Sequence, residues 1–134
     1  MKKNILFAML FIPTIAFSSI KDDTEKALDY CATSQSWAAQ IVITNSYQKN
    51  NQFDRMKATS SLLERTKLVK EGKPIVLKES GQLYTQTLEI IIPYIDKNKK
   101  PAVFIASSII SAEECSLSEV AYFDITPEIL QTER

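Results

Sequence analysis

Glycine is the residue type whose scarcity most constrains how this chain can fold. The 134-residue sequence contains only two, Gly72 and Gly81. Tight turns between strands favour glycine where the backbone takes a positive φ. Two glycines are too few for the many tight turns of an all-β domain, so the sequence favours helices. Its long segments are also rich in Ala, Leu, Glu, Lys and Gln, which have high helix propensity.

The first residues have the pattern of a secretory signal peptide. Lys2 and Lys3 provide a positively charged start, and an apolar stretch follows over residues 5–12. Small side chains at Ala16 and Ser18 match the positions that precede a cleavage site after Ser18. The apolar stretch is shorter than the about 20 residues that a transmembrane helix needs. We therefore expect a cleaved signal peptide rather than a membrane anchor.

Cleavage would divide the chain into the signal peptide, residues 1–18, and a single domain, residues 19–134. The cleavage site has no lipid-acceptor cysteine, so the periplasm is the expected compartment and full secretion the second choice. No later segment is apolar enough to insert into a membrane. Without the two N-terminal lysines, 14 basic residues face 16 acidic ones, a net charge of −2. Because no basic stripe is present, nucleic acids and anionic lipid surfaces are not expected partners.

The two cysteines, Cys31 and Cys115, lie far apart in the sequence. An oxidising compartment favours their pairing, and the long loop that they close would stabilise the fold by about 4 kcal/mol. A redox-active pair would more often have the C-x-x-C spacing. A zinc site needs four neighbouring ligands, and this chain has no histidine. We expect a structural disulfide, with free thiols as the alternative.

The spacing of apolar side chains predicts an all-α fold, a compact bundle of four main helices. The expected helices cover residues 23–48, 52–70, 75–96 and 101–115. In this arrangement the disulfide would join the first helix to the end of the fourth.

Proline and capping patterns refine the helical prediction. Pro93 is expected to kink or end the third helix, and residues 74–80 could form a short strand instead. The sequence SLSE at residues 116–119 matches a capping box. Thr126, followed by proline, matches a second helix start. One or two short C-terminal helices are therefore expected.

Few residues in this chain could perform catalysis. Without histidine there is no imidazole base and no Ser-His-Asp or Cys-His arrangement. Ser46 and Lys49 match the S-x-x-K spacing, but the companion motifs of penicillin-binding enzymes are missing. Glu113 and Glu114 are the remaining acid–base candidates, and a solvated helix face is the simpler interpretation of both. We expect no enzyme activity, no cofactor and no metal.

Two regions are candidates for binding another protein. The first carries Tyr30 and Trp37, since Trp and Tyr dominate many interfaces, although burial in the core is the more common fate of such residues. The second is the region of residues 70–82, which could form an ordered protruding loop. A plain connection between two helices is the simpler interpretation. Its charged side chains are mixed in sign: Lys70, Glu71, Lys73, Lys78 and Glu79.

In its size, predicted export, helicity and pair of cysteines, the chain resembles the small periplasmic immunity proteins that protect bacteria from type VI secretion effectors, such as the helical amidase-immunity families. The resemblance implies a stoichiometric inhibitor that binds a toxic enzyme attacking the cell wall or envelope and blocks its active site. It rests on overall build, and no family motif matches a stretch of this chain, so no residue roles follow from it.

Two other functions stay open. A small disulfide-linked periplasmic stress chaperone, or an accessory protein of envelope assembly, would have a similar outline. A chaperone of this kind would open at low pH as its carboxylates become protonated. A small hydrolase that uses two carboxylates is the third candidate. The sequence also leaves open a homodimer through an apolar helix face.

Overall fold

The computed structural model describes residues 15–127, with side chains from Lys21 onward. This part contains two helices, α1 (Ile15–Tyr30) and α2 (Trp37–Lys49), and a short 3-10 helix at Arg55–Lys57. The strands follow in chain order: β1 (Thr59–Lys67), β2 (Val69–Lys70), β3 (Lys73–Pro74), β4 (Val76–Leu77), β5 (Gly81–Gln82), β6 (Tyr84–Ile92), β7 (Ala102–Ile110) and β8 (Ala121–Asp124). Four of them form an antiparallel sheet in the order β1-β6-β7-β8, while β2 pairs with β3 and β4 with β5.

The predicted all-α bundle is wrong, because the described chain is mainly β. The first predicted helix, residues 23–48, is interrupted between α1 and α2. The other three predicted helices fall largely on strands. Residues 52–70 hold the 3-10 helix, β1 and β2, residues 75–96 hold β4, β5 and β6, and residues 101–115 hold β7 and the start of the loop that follows it.

The alternation of buried side chains explains why β6 and β7 are strands. On β6, Leu88, Ile90 and Ile92 are fully buried, and the residues between them are half-buried. This period of two is typical of a strand with one face on the core. Both strands are also rich in β-branched Thr, Val and Ile, which favour strands. A helical stripe would place Leu88, Ile91 and Ile95 together, whereas the sheet buries Leu88 and leaves Ile95 exposed.

Short polar side chains separate α1 from α2. The Thr33 hydroxyl donates to the carbonyl of Tyr30 at 2.7 Å, and the Ser36 hydroxyl donates to the carbonyl of Thr33 at 2.7 Å. Local bonds of this kind satisfy backbone groups outside a helix and compete with helix continuation. The chain therefore turns over residues 31–36 before α2 begins.

Helix α2 covers one face of the sheet and forms the main hydrophobic core with it. The buried side chains of this core come from the 31–36 turn, α2, the loop after it, β6 and β7: Ala32, Ala38, Ala39, Val42, Ile43, Phe53, Leu88, Ile90, Ile92, Ala102, Phe104 and Ala106. A smaller cluster joins Leu28, Cys31 and Ile110 at the end of α1. The outward side chains of β6 and β7 stay half-buried or exposed.

The disulfide between Cys31 and Cys115 is confirmed, with 5.4 Å between the two Cα atoms. It joins the residue after α1 to the loop after β7, so it does not connect two helices. Cys31 is buried in the smaller cluster and Cys115 packs against it. The disulfide therefore fixes the end of α1 against the sheet.

The positions of the two glycines show how a mainly β chain manages with so few. Residues 93–101 connect β6 to β7 and residues 111–120 connect β7 to β8, and both loops lack glycine. These connections are long enough to reverse direction without a two-residue turn. Gly72 and Gly81 both lie between β1 and β6, with φ of +77° and +75°. The scarcity of glycine limits the number of tight turns and not the number of strands.

The capping-box prediction at residues 116–119 is wrong, because these residues form a loop. The backbone N–H and hydroxyl of Ser116 both donate to the carboxylate of Glu114. The Ser118 hydroxyl accepts the N–H of Ile109 at 2.8 Å. The Ser116 hydroxyl therefore bonds within this loop, and the Ser118 hydroxyl holds the loop against β7.

Three further expectations concern the ends of the chain. Residues 1–14, most of the predicted signal peptide, lie outside the described residues, and residues 15–18 belong to α1. The predicted C-terminal helix after Thr126 also lies almost entirely outside them. In the part of the chain that the structure describes, neither helix combines the length and the apolar character that a membrane crossing requires.

Candidate protein-binding arm

The connection between β1 and β6 forms an ordered projection, which we call the arm and define as residues 68–83. It consists of two small hairpins. β2 and β3 form the first, with Val69 opposite Pro74, and β4 and β5 form the second, with Val76 opposite Gln82. The region singled out in the sequence, residues 70–82, lies within the arm. The simpler interpretation, a plain connection between two helices, is wrong because strands flank it on both sides.

A closed ring of three backbone hydrogen bonds holds the base of the arm. The N–H of Leu68 donates to the carbonyl of Leu83 at 2.9 Å, and the N–H of Leu83 donates to the carbonyl of Ile75 at 3.0 Å. The N–H of Ile75 completes the ring by donating to the carbonyl of Leu68 at 2.9 Å. This three-way junction joins the β1–β6 pair and the two hairpins. Hydrogen bonds as well as the continuous chain therefore restrain the orientation of each hairpin.

The side chain of Gln82 braces the junction. Its amide nitrogen Nε2 lies 2.8 Å from the carbonyl oxygen of Leu83, 3.2 Å from that of Ile75 and 3.5 Å from that of Leu68. Three carbonyls that already accept backbone bonds thus share a second donor. This half-buried amide holds the three carbonyls in one arrangement. Its removal would leave these carbonyls with fewer donors.

The backbone of the first hairpin explains where the sequence needs glycine. Glu71 and Gly72 occupy its two-residue turn and both have positive φ, +52° and +77°. Positive φ at both central residues is the type I′ turn, whose twist matches that of paired strands. A Cβ added to Gly72 would meet no atom within 4 Å. Glycine therefore serves the backbone conformation here and not a close contact.

The arm presents apolar side chains to solvent beside its charges. Val76 is 62% exposed, and Val69 and Leu77 are each about half exposed. The predicted charged residues divide between the hairpins, with Lys70, Glu71 and Lys73 on the first and Lys78 and Glu79 in the turn of the second; all five are exposed. Within residues 15–127, none of the five takes part in an ion pair. Three lysines against two glutamates give the arm a net charge of +1.

Tyr30 and Trp37 are both exposed, at 57% and 48%, so the core interpretation of Trp37 is wrong. Tyr30 ends α1, and the preceding residue, Asp29, forms an ion pair with Arg65 near the end of β1 (3.1 Å). Arg65 also donates to the carbonyl of Leu28 at 2.8 Å. These bonds fasten the end of α1, and with it Tyr30, to the strand that leads into the arm. Trp37 begins α2, on the far side of the 31–36 turn.

The acid–base candidates lie in the turn after β7 and not on a helix. Glu113 and Glu114 are both exposed, and their N–H groups donate to the Ser111 hydroxyl. Hydrogen bonds from the Ser116 hydroxyl and N–H lower the pKa of Glu114. A general acid at neutral pH needs a raised pKa, so the shift runs against that role for Glu114. Across the described residues, no group of three or more Cys, Asp or Glu side chains is placed to hold a metal ion.

Sequence reasoning missed the residues that shape the arm. Leu68, Ile75 and Leu83 bond to one another through their backbones, and no side-chain pattern marks such a junction. Gln82 has only a weak signal, as a glutamine next to Gly81 in the candidate binding region of residues 70–82. The S-x-x-K pair, Ser46 and Lys49, is on α2 and faces a separate pocket that is described below.

Replacing Gln82 by leucine should loosen the arm without unfolding the domain. The variant Gln82→Leu removes the amide whose two N–H groups are shared among three carbonyls, and losing such bonds costs about 1–3 kcal/mol locally. We expect backbone amide hydrogen exchange at Ile75 and Leu83 to become about tenfold faster or more. Gln52→Leu, at an exposed glutamine outside the arm, is the control. Equal exchange rates in both variants would show that Gln82 does not brace the junction.

The chain matches no protein-family model, no curated protein and no solved structure.

Proposed function

We propose that this chain is an exported, periplasmic protein-binding module that acts as an immunity-type inhibitor. In this proposal the arm enters a cleft of a toxic enzyme that attacks the cell wall or envelope and occludes its active site. The observation that carries the proposal is the arm itself, a braced two-hairpin projection with exposed apolar side chains. The resemblance to immunity proteins rested partly on an all-α build, which the mainly β fold contradicts, so it contributes only size, predicted export and the two cysteines.

The rigidity of the arm supports this function. A flexible loop loses conformational entropy when a partner orders it, and that loss subtracts from the binding free energy. The junction of Leu68, Ile75 and Leu83 and the amide of Gln82 order the arm before any partner arrives. A preformed projection of this kind suits tight, stoichiometric inhibition.

The surface chemistry of the arm also supports binding to a protein. Val69, Val76 and Leu77 are exposed apolar side chains. Their burial against a partner would lower the free energy and so favour binding. The charges around them are mixed in sign. They therefore suit a protein partner with complementary charges at the rim of the interface better than a nucleic acid. Tyr30, fastened near the base of the arm, adds an amphipathic ring of the type enriched at binding hot spots. Trp37, which is also exposed, is the second aromatic candidate for contact with the partner.

The test compares two exposed aliphatic side chains. Val76 in the arm is 62% exposed, and Ile95, in the loop after β6 at the other end of the sheet, is 63% exposed. The immobilised chain is incubated with periplasmic extract and with the secretome of a competing strain. Any enriched enzyme is purified and assayed with and without the chain. We expect one enzyme, inhibited at a one-to-one ratio, and about thirtyfold or more weaker inhibition by Val76→Asp, as at a binding hot spot. Ile95→Asp should inhibit like the unmodified chain.

Two results would argue against this function. One is equal inhibition by Val76→Asp and Ile95→Asp, which would remove the arm from the interface. The other is the failure to recover an enzyme, together with normal survival of a deletion strain in competition with its neighbours.

A periplasmic stress chaperone or envelope-assembly accessory is the second candidate, and the outward face of the sheet favours it. Ile91, Val103, Ile105 and Ile109 are only half-buried on that face, and Phe123 is largely exposed. Antiparallel sheets usually place polar side chains on the face away from the core. An acid-activated chaperone should bind more hydrophobic dye as its carboxylates are protonated. Unchanged dye binding from neutral to strongly acidic pH would count against this candidate.

A further inference from the structure

A cavity lies where α2 ends over the sheet, away from the arm. We call it the aromatic pocket. It has a volume of about 360 Å³ and is lined by Ser46, Lys49, Phe53, Phe104, Tyr122 and Asp124. This volume falls in the lower part of the range of small-molecule sites, about 300–1,000 Å³. Phe104 pairs with Ile90, six residues along β6 from the arm, which places the pocket about 20 Å from the base of the arm.

The walls of the pocket are held in place by their own contacts. Phe53 and Tyr94 stack with ring centroids 4.5 Å apart, and Phe104 meets Tyr122 edge to face at 6.2 Å. The side-chain amide of Asn45 donates to the hydroxyl of Tyr122 at 3.4 Å. Phe53 and Phe104 are buried. The aromatic floor is therefore formed before any ligand binds.

Two opposite charges border this floor. Asp124 accepts the N–H and the hydroxyl of Thr126 through one carboxylate oxygen, Oδ1, at 2.9 and 2.6 Å. Those bonds fix the orientation of the carboxylate. Lys49 is the last residue of α2. Among residues 15–127, neither Lys49 nor Asp124 forms an ion pair with the other or with any third side chain, so both charges can serve a ligand.

We propose that the aromatic pocket binds a small zwitterion with a flat apolar group, an α-amino acid of the aromatic class. The apolar group would lie on Phe53, Phe104 and Tyr122, the carboxylate would face Lys49, and the ammonium would face Asp124. A ligand with only a positive charge would be repelled by Lys49, and one with only a negative charge by Asp124. A zwitterion satisfies both at once. This site is independent of the arm and of the inhibitor function.

The first test uses four ligands and the unmodified chain. L-phenylalanine has the ring and both charges, 2-phenylethylamine lacks the carboxylate, 3-phenylpropionate lacks the ammonium, and glycine lacks the ring. Affinities are measured by calorimetry and by amide shifts in NMR spectra. We expect L-phenylalanine to bind about tenfold or more tightly than each of the other three, since each of them leaves Lys49, Asp124 or the aromatic floor without a ligand group.

The second test assigns each charge to its ligand group. Lys49→Met should weaken L-phenylalanine about tenfold and leave 2-phenylethylamine binding no weaker. Asp124→Asn, which keeps Oδ1 as an acceptor for Thr126, should weaken L-phenylalanine and leave 3-phenylpropionate binding no weaker. Lys97→Met and Asp96→Asn are the controls. Asp96 is exposed and accepts the N–H of Asn98 in the same way, and Lys97 is exposed beside it.

Three outcomes would overturn the proposal. L-phenylalanine could fail to bind at millimolar concentrations, or it could bind no more tightly than the analogues that lack a charge. The third outcome is that the pocket variants and the control variants lose the same affinity.

Discussion

Removing the Cys31–Cys115 disulfide is expected to lower the free energy of unfolding by about 4 kcal/mol. The disulfide closes a loop between residues 84 positions apart, and the unfolded chain gains the conformational freedom of that loop when it is cut. Folded domains of this size are stable by about 5–15 kcal/mol, so the loss is a large share of the total. The double variant Cys31→Ala with Cys115→Ala should therefore unfold at a much lower urea concentration.

Chemical reduction provides the matched control for this loss. The unmodified chain under reducing conditions lacks the same loop constraint but keeps both sulfur atoms. If loop entropy dominates, the reduced chain and the double variant should lose similar free energies of unfolding. The double variant should be slightly less stable than the reduced chain, because Cys31 is buried beside Leu28 and Ile110 and its truncation leaves a small cavity. A loss below about 1 kcal/mol in both would contradict the entropic account.

The sequence predicted the disulfide but not the elements that it joins. The pairing of Cys31 and Cys115 followed from the expected compartment and from the absence of other partners, and neither argument depends on the fold. Which elements carry the cysteines does depend on it. Cys31 was expected within the first helix and lies in the turn just after α1, and Cys115 was expected at the end of a helix and lies in a loop after a strand.

The candidate arm shows the same division between local and long-range information. A protruding segment at residues 70–82 could be proposed from its length and its mixed charges. Its rigidity could not, because Gln82 bonds to the carbonyl of Leu68, 14 positions away. The aromatic pocket was missed for a similar reason. Its floor combines Phe53, Phe104 and Tyr122, which only the sheet and the end of α2 bring together.

The helical prediction failed because the two periodicities overlap in short segments. Side chains four positions apart, such as Leu88 and Ile92, share one face of a helix and also one face of a strand. Only the residue midway between them, Ile90, distinguishes a helix from a strand. On a strand Ile90 joins that face, whereas on a helix it turns about 200° away from Leu88. The β-branched content of the segment favoured the strand, and overall composition favoured the helix.

Truncating Ile90 should therefore cost far more stability than truncating its neighbour Ile91. Ile90 is fully buried between α2 and the sheet, and replacing a buried Ile by Ala costs about 2–5 kcal/mol through lost burial and the cavity left behind. Ile91 points to the opposite face and is only half-buried. Ile91→Ala removes the same atoms and lowers strand propensity equally, so we expect it to cost about 1 kcal/mol or less.

Urea unfolding of the two single variants measures this difference, and their shared chemistry makes each the control for the other. The helical stripe would bury Ile91 with Leu88 and leave Ile90 aside, so it predicts the reverse order of losses. Equal losses would mean that something covers the outward face of the sheet in solution, as a second copy of the chain would. In that case the loss for Ile91→Ala should depend on protein concentration, because dissociation then accompanies unfolding.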